Sequence, residues 1–299
     1  MSIDLTGQVA IVTGAGAGLG RAHARALAAR GACVVINDLD AEAATALRDS
    51  IVAAGGDAIA HPANVTSADD VQGMVDAAEA RWGKIDILVN NAGILRDKTF
   101  AKMDLADFRL VMDVHLMGSV HCVKAVWDGM RDRGYGRILF TTSSSGLYGN
   151  FGQANYGAAK MALVGLMQTL ALEGERHGIR VNCLAPSAAT AMTNGLYSEE
   201  ALAGLGADLV SPAVLALVGP DAPTRRILLA GAGCFEQANI TMTQGLWLGG
   251  GETVADRLLD RLGDVGDRGG EFVPENGGRQ YLHEVEHALD ARRQAEPVR

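Results

Sequence analysis

Short apolar runs alternate with helical patterns along the first three quarters of the chain. The runs are continuous rather than alternating, which predicts buried strands, at residues 8–13, 32–37, 57–61, 85–90, 137–142, 179–184 and 226–230. Apolar residues at helical spacing predict helices between them, at residues 19–30, 41–54, 67–82, 104–133 and 154–177. Continuous apolar strands joined by helices are typical of an α/β fold, a doubly wound parallel sheet with helices on both faces.

The alternation ends near Gly231, where the composition also changes. Glycine accounts for 38 of the 299 residues, and 12 of these lie between Gly231 and Gly278. Helical patterns return only at residues 253–262 and 280–293. We therefore expect a sheet domain over residues 1–235 and a Gly-rich, partly helical C-terminal extension over residues 236–299. The extension is predicted to pack at a dimer interface or over a substrate mouth, and a disordered tail is the alternative.

The charge and composition exclude several classes of function. A formal net charge of −9 argues against nucleic acid or an anionic membrane surface as the main partner. No apolar run reaches the roughly 18 residues of a membrane span, and the first residues lack the pattern of a signal peptide. We therefore expect a cytoplasmic, soluble protein. The four cysteines show no C-x-x-C spacing, so they predict buried apolar positions rather than a metal or redox site.

The first predicted strand leads into a glycine-rich loop of the pattern T-G-x-x-x-G-x-G, from Thr13 to Gly20. Glycine at positions 14 and 18 lets the backbone approach a pyrophosphate without a Cβ in the way. The helix that starts at Leu19 offers free N–H groups and the positive end of its dipole to phosphate oxygens. The loop therefore predicts dinucleotide binding through Gly14, Gly18 and Leu19, and a merely tight strand–helix turn is the alternative.

An acidic residue, Asp38, ends the second predicted strand 18 residues after Gly20. A carboxylate at this position accepts hydrogen bonds from ribose hydroxyls and repels a 2′-phosphate, so it predicts NAD rather than NADP. Neither Ala17 nor Leu39 is basic, so nothing there offsets the repulsion. An ordinary helix cap is the alternative interpretation of Asp38.

Tyr156 and Lys160 are four residues apart in a predicted helix, so they share one face of it. Ser143 lies thirteen residues before Tyr156, just past a strand, where the ligand crevice of a parallel sheet forms. A tyrosine with an ordinary pKa near 10 is a poor base, and a nearby lysine cation together with the positive nicotinamide of an oxidised cofactor lowers that pKa. We therefore expect Tyr156 to take the proton of a secondary alcohol, Ser143 to bind the substrate oxygen, and Lys160 to hold the nicotinamide ribose as well. A surface Tyr/Lys pair is the alternative.

Together with Asn90-Asn91-Ala92-Gly93, these motifs match those of the short-chain dehydrogenase/reductase family in order and spacing. The chain resembles that family over about residues 5–235. The resemblance implies a Rossmann-type dinucleotide-binding and catalytic domain, an NAD cofactor, and residues 186–192 near the nicotinamide. It also implies further cofactor-binding residues, with Tyr156 and Lys160 among them; the others are Asn64 and Val65 beside the adenine, and Asn91, Ala92 and Gly93 on the adenosine side.

A closer resemblance is to one branch of this family, the (3R)-hydroxyacyl-CoA dehydrogenases of peroxisomal multifunctional enzyme type 2. It rests on residues 90–97, residues 148–156 and Val114-His115-Leu116. It implies an acyl-CoA substrate and a homodimer or homotetramer. A steroid or other alicyclic alcohol dehydrogenase is the alternative within the class, since the substrate loop at residues 191–207 shows no pattern that identifies a substrate. A non-catalytic NAD-binding scaffold subunit is the alternative from another class.

The sequence departs from the family pattern at His115, where an asparagine is usual. That asparagine helps to hold a water in the proton relay of the family, and the resemblance implies that His115 supports the same relay. A histidine that fills a polar niche is the alternative. Asn64 stands where the family usually has an aspartate near the adenine. Pro186-Ser187 replaces the usual Pro-Gly, which leaves the contact of Thr190 with the cofactor open.

The segment from His283 to His287 matches H-E-x-x-H, a motif of zinc hydrolases. Twelve residues follow it, and they hold neither the G-x-x-H continuation nor a second helix that bears a third ligand. We therefore interpret the motif as a solvated helix face and predict no metal.

Overall fold

The computed structural model describes residues 3–190 and 198–295 of the chain. The chain divides into two compact units, Met1–Ala238 and Asn239–Arg299. The first unit contains the sheet and the cleft described below, and the second contains short helices joined by glycine-rich loops.

The first unit is built on one eight-stranded sheet. Its strands, in chain order β1 to β8, are Val9–Val12, Cys33–Asp38, Ala58–Pro62, Ile87–Asn90, Gly136–Thr141, Ile179–Ser187, Ile227–Gly231 and Cys234–Ala238. Their order across the sheet is β3-β2-β1-β4-β5-β6-β7-β8, and all neighbours are parallel except β7 and β8. The predicted doubly wound parallel sheet is confirmed.

The residues that the structure describes contain twelve α-helices, some between the strands and the rest in the second unit. In chain order α1 to α12, they are Gly18–Ala28, Ala41–Ala53, Ala68–Trp82, Leu105–Met112, Gly118–Arg133, Ser144–Tyr148, Ala154–Gly174, Glu199–Gly204, Ser211–Val218, Val254–Asp260, Leu262–Val265 and Gly278–Ala295.

The core lies in two clusters on opposite faces of the sheet. Successive residues of a strand point to opposite faces, so Ala10 and Val12 of β1 join the cluster under α1, α2 and α9, whereas Ile11 joins the one under α3, α5 and α7. Both faces are therefore buried, which explains why the strands are continuous apolar runs.

The predicted helical stretch at residues 104–133 is confirmed, with one difference: a π-helical segment, Asp113–Met117, joins α4 to α5. One expectation about the strands is wrong, because the sheet does not end at β7. Ala232 and Gly233, both with positive φ, turn the chain back into the antiparallel edge strand β8, and such paired positive φ angles are typical of two-residue hairpin turns.

The order of the strands determines where a ligand can bind. Strand β1 lies between β2 and β4, so the chain progresses to one side from β1 to β3 and to the other side from β4 onward. The carboxyl ends of β1 and β4 border the crevice that such a reversal opens. The glycine-rich loop follows β1, and Asn90-Asn91 closes β4.

The second unit holds α10, α11 and α12, and a backbone bridge pairs Met242 with Phe272. The predicted Gly-rich, partly helical extension is confirmed in these elements. No helix within residues 3–190 and 198–295 combines the length and apolarity needed to cross a bilayer.

Candidate active site

A cleft of about 680 Å³ opens at the carboxyl ends of the central strands. Its volume lies in the range usual for sites that bind cofactors or small ligands. Twelve residues that the sequence assigned to the cofactor or to catalysis line it: Gly14, Gly18, Leu19, Asp38, Asn64, Val65, Asn91, Ala92, Gly93, Ser143, Tyr156 and Lys160.

The glycine-rich loop is fastened to the end of β4 by hydrogen bonds. The Asn91 side-chain amide donates to the backbone oxygens of Thr13 and Gly14 at 2.9 and 3.0 Å, and the Thr13 hydroxyl oxygen accepts from the backbone N–H groups of Asn91 and Ala92 at 3.0 Å each. Gly14 has a φ of +61°, and an added Cβ there would lie 2.8 Å from the Ala92 Cα. The Asn91 amide therefore positions the loop.

Helix α1 starts directly behind this loop. Its cap residue, Ala17, has no side chain that accepts a hydrogen bond, so the N–H groups of the first turn stay available to a ligand. Gly18, with a φ of +52°, turns the chain into the helix. Free N–H groups at a helix start and a closely approached backbone fit a pyrophosphate, so the cradle fits a dinucleotide.

The carboxylate of Asp38 stands at the end of β2, beside the loop. It accepts from the backbone N–H of Gly16 at 2.8 Å and from that of Asp40 at 3.1 Å. A Cβ on Gly16 would lie 2.9 Å from this carboxylate, so glycine is required there. The side chain of Leu39 next to it is 74% exposed, and both residues line the cleft.

Asn64 and Val65 follow β3 and line the cleft on the same side as Asp38. The side-chain oxygen of Asn64 accepts from the backbone N–H and the hydroxyl of Thr66, at 3.0 and 2.9 Å. This side chain therefore shapes the loop, while the buried Val65 presents an apolar surface.

Ser143 lies between β5 and α6, where its hydroxyl oxygen caps the helix by accepting from the Ser145 N–H at 3.2 Å. Its neighbour Thr142 donates its hydroxyl to the backbone oxygen of Lys160 at 2.7 Å. This bond ties the end of β5 to helix α7, so Ser143 is brought to Tyr156 and Lys160.

Lys160 is buried in α7, and its ammonium donates to the Thr141 backbone oxygen at 2.6 Å. Its Nζ lies 5.4 Å from the centre of the Tyr156 ring. Burial lowers the pKa of Lys160 to about 7. The two side chains share a helix face, as the spacing predicted.

The expected lowering of the Tyr156 pKa by the Lys160 cation and the oxidised nicotinamide stays a prediction. In the protein itself, burial raises the pKa of the phenol, and the charge of Asp97 raises it further. A hydrogen bond with Ser143 acts in the opposite direction. Burial dominates because it disfavours the charged phenolate, so Tyr156 holds its proton in this structure.

His115 lies in the π-helical segment, 2% exposed, with its ring edge-on to Tyr156 at 5.2 Å between centroids. Its Nε2 is 2.8 Å from the Ile94 backbone oxygen, and its Nδ1 is buried with no hydrogen-bond partner among the residues described. Burial and the charge of Lys160 lower the pKa of His115 to about 3, so the ring is neutral. A Cβ on Gly93 would overlap this ring.

Three residues of the cleft region were missed by the sequence analysis. Gln153 and Asn150 line the cleft, and the Gln153 amide donates to Asp97 at 2.6 Å. The signal that could have found Gln153 is its place directly before the helix that carries Tyr156.

The expected nicotinamide and substrate segment is described only in part. Thr190 and residues 186–188 line the cleft, whereas residues 191–197, which belong to the expected nicotinamide and substrate segment, lie outside the described residues.

The H-E-x-x-H motif lies in the second unit, where His283 places Nε2 2.9 Å from the Gln244 backbone oxygen and its ring 4.2 Å from that of His287. Within the described ranges, no three acidic, histidine or cysteine side chains gather as a metal site would require.

A sequence model of the family described as short chain dehydrogenase matches residues 8–201. The chain is also 42% identical over 258 residues to peroxisomal multifunctional enzyme A of Dictyostelium discoideum, which covers 83% of this chain and 58% of that protein. The chain therefore belongs to the short chain dehydrogenase family and is an oxidoreductase.

Two solved structures share this architecture. Full-length peroxisomal multifunctional enzyme type 2 from Drosophila melanogaster matches with a TM-score of 0.81 and 34% identity, over 97% of this chain and 50% of that one. A 7α-hydroxysteroid dehydrogenase complexed with NADH and 7-oxo glycochenodeoxycholic acid matches with a TM-score of 0.72 and 34% identity, over 77% and 95%. The family and this NADH complex indicate a nicotinamide dinucleotide cofactor. The chain spans about half the length of the multifunctional relatives.

The buried amine of Lys160 predicts a pH-dependent stability, tested by Lys160→Met, which keeps the bulk of the side chain. Between pH about 7 and the ordinary lysine value of 10.5, the unfolded chain binds a proton that the folded protein lacks. The free energy of unfolding of the wild type should therefore rise relative to the variant, by about 1 kcal/mol for each pH unit above about 7. Urea denaturation at several pH values measures this difference, and a difference that is constant with pH contradicts the prediction.

Proposed function

We propose that the protein is an NAD-dependent dehydrogenase that interconverts (3R)-hydroxyacyl-CoA and 3-ketoacyl-CoA. The observation that carries the proposal is the convergence of Ser143, Tyr156 and Lys160 in one cleft with the dinucleotide cradle. Two relatives support the acyl thioester class by name, a 3-oxoacyl-[acyl-carrier-protein] reductase of Synechocystis sp. and an acetoacetyl-CoA reductase of Allochromatium vinosum, at 46% and 43% identity over 66% and 64% of this chain.

A bound nicotinamide dinucleotide supplies the acceptor or donor of the hydride. Ser143 and Tyr156 bind the oxygen on C3 of the substrate, and Tyr156 takes its proton in oxidation or returns it in reduction. Burial keeps the phenol protonated, so the resting tyrosine suits the reduction step. Lys160, fixed by the Thr141 oxygen, supplies the adjacent positive charge and a donor for the cofactor ribose.

NAD is proposed over NADP on the strength of Asp38. Its carboxylate is held in place by the Gly16 N–H and lines the cleft, where it would meet the ribose hydroxyls. A 2′-phosphate at the same place would be repelled. Leu39 and Ala17 beside it offer no positive charge.

A steroid or other alicyclic alcohol remains the second candidate substrate, because a hydroxysteroid dehydrogenase shares the fold at 34% identity. A non-catalytic scaffold is disfavoured, since Ser143, Tyr156 and Lys160 are all present and clustered. Incubation with NAD and a panel of (3R)- and (3S)-hydroxyacyl-CoAs and hydroxysteroids distinguishes these possibilities. Turnover of steroids but of no CoA ester would refute the proposal.

Two further proposals concern the second unit and the compartment of the protein. The second unit exposes Trp247, Leu259 and Tyr281, at 48%, 70% and 63%, which supports its proposed place at a dimer interface or over a substrate mouth. The compartment is also a prediction: the sequence points to the cytoplasm, whereas the relatives are named as peroxisomal proteins.

A homodimer is proposed through the outer face of α7. The exposed residues of this face recur at helical spacing and carry no charge before Glu173 in the last turn: Ala154, Ala158, Met161, Gly165, Thr169 and Leu172. A helix that is apolar on its outer face as well as its inner face is usually buried on both. A second copy of the chain would bury this surface by the same face, as two-fold dimers do.

Tyr156→Phe is expected to lower kcat about 100-fold or more, because it removes the group that transfers the proton. Binding of NADH, followed by its fluorescence, should change little, since the ring remains. Tyr148→Phe is the matched control, a tyrosine that lines the same cleft at 68% exposure. Turnover by Tyr156→Phe within a few-fold of the wild type would contradict the mechanism.

Asp38→Asn is expected to reduce the preference for NAD over NADP about tenfold or more, because it removes the charge without changing the shape of the side chain. The ratio of kcat/KM values for the two cofactors is the measurement. Asp40→Asn, which neutralises the exposed cap of α2 two residues away, should leave this ratio unchanged. A wild type that prefers NADP would show that the role given to Asp38 is wrong.

Gly165→Arg is expected to convert a dimer into a monomer. A Cβ at Gly165 meets no atom within 4 Å, so the fold accommodates the substitution while the proposed interface does not. Light scattering coupled to gel filtration measures the mass, and Gly165→Ala serves as the control. A monomeric wild type, or a dimer that survives Gly165→Arg, contradicts the assignment of this face.

A further inference from the structure

Gln153 is a buried polar side chain that the mechanism above does not use. It precedes the first turn of α7, is 7% exposed, and lines the cleft together with Ser143 and Tyr156. Buried amides are nearly always hydrogen-bonded, because an unmade bond costs the desolvation of the group. The partners of Gln153 therefore show what the side chain is arranged to do.

Two neighbours fix the orientation of the Gln153 amide. Its Nε2 donates to the Asp97 carboxylate at 2.6 Å, and its Oε1 accepts from the Asn150 side-chain amide at 3.0 Å. A carboxylate only accepts hydrogen bonds, so the nitrogen end of the amide faces Asp97.

One hydrogen of this amide is left over. The nitrogen carries two hydrogens, Asp97 takes one, and no acceptor meets the other within residues 3–190 and 198–295. A ligand in the cleft can supply the missing acceptor oxygen.

The position of Gln153 beside Tyr156 sets where that oxygen would lie. Gln153 directly precedes α7, Tyr156 is the third residue of this helix, and both side chains line the same cleft. Tyr156 serves the oxygen on C3, so Gln153 serves a second oxygen nearby. A 3-hydroxyacyl thioester has its carbonyl oxygen on C1, one methylene away, whereas a simple secondary alcohol has no second oxygen.

We propose that Gln153, oriented by Asp97 and Asn150, donates to the thioester carbonyl of the substrate and so selects 3-hydroxyacyl thioesters over simple secondary alcohols. Asp97 is a positioning residue, since its carboxylate keeps the N–H end of the amide in place. The inference rests on the proposed function and adds the second point at which the substrate is held.

A purely structural role is not needed for these contacts. The segment that contains Asp97 is already joined to the start of α7 by other bonds. The Lys98 N–H donates to the Gly152 oxygen at 2.9 Å, and the buried Asn155 amide donates to the Arg96 oxygen at 3.0 Å. The segments therefore stay together without the Gln153 amide.

The test compares two substrates that differ only at C1. The probes are (3R)-hydroxybutyryl-CoA and the thioether S-(3-hydroxybutyl)-CoA of the same configuration, in which a methylene replaces the carbonyl. Each is oxidised with NAD by the wild type, by Gln153→Met, which keeps the length of the side chain but has no donor, and by Asp97→Asn. The readout is the ratio of kcat/KM values for thioester and thioether.

Gln153→Met should lower this ratio about tenfold, and Asp97→Asn should lower it in the same direction by less. Gln72→Met is the matched control, because it removes a glutamine–aspartate hydrogen bond of 2.8 Å to Asp76 on the exposed face of α3. Its ratio should equal that of the wild type.

Equal losses on both substrates, or no loss on either, would overturn the inference while leaving the proposed function intact. A wild type that oxidises no CoA thioester would instead refute the proposed function, and the inference with it. If Gln153→Met fails to fold, Asp97→Asn carries the same comparison, and an unchanged ratio in that variant overturns the inference.

Discussion

The junction between the ends of β1 and β4 is the constraint on which the cleft depends. The Asn91 amide and the Thr13 hydroxyl bind each other's backbone across this junction, and the loop backbone approaches Ala92 so closely that Gly14 admits no Cβ. A loop held in this way presents its N–H groups in fixed directions. Asp38 is fixed in turn, because its carboxylate accepts from the N–H of Gly16 in the same loop.

The catalytic side of the cleft depends on a buried charge. The amine of Lys160 is fully enclosed and bonded to the Thr141 backbone oxygen, so its positive form is costly, and its pKa falls to about 7. The same burial keeps His115 neutral and Tyr156 protonated. The apolar surroundings thus set the protonation of all three groups together.

The sequence predicted what depends on local pattern. Buried parallel strands are continuous apolar runs, so seven strands and the loop after β1 could be located. Strand β8 could not, because its residues are mostly exposed and have no such run. The π-helical segment that seats His115 could not either, since apolar spacing continues across residues 104–133. Asp97 and Gln153 are 56 positions apart, and no local spacing reveals that the fold joins them.

The fold alone does not identify the substrate, because a peroxisomal multifunctional enzyme and a hydroxysteroid dehydrogenase both share it. The proposed role of Gln153 separates a 3-hydroxyacyl thioester from an alcohol with a single oxygen. Ser143 and Tyr156 suffice for one oxygen, and a substrate with a single reacting oxygen would leave the second N–H of Gln153 buried without an acceptor. Such an unmade bond costs about 1–3 kcal/mol. In the proposed binding mode, a thioester carbonyl one methylene from the reacting carbon removes that cost, which favours a 3-hydroxyacyl thioester over a simple alcohol.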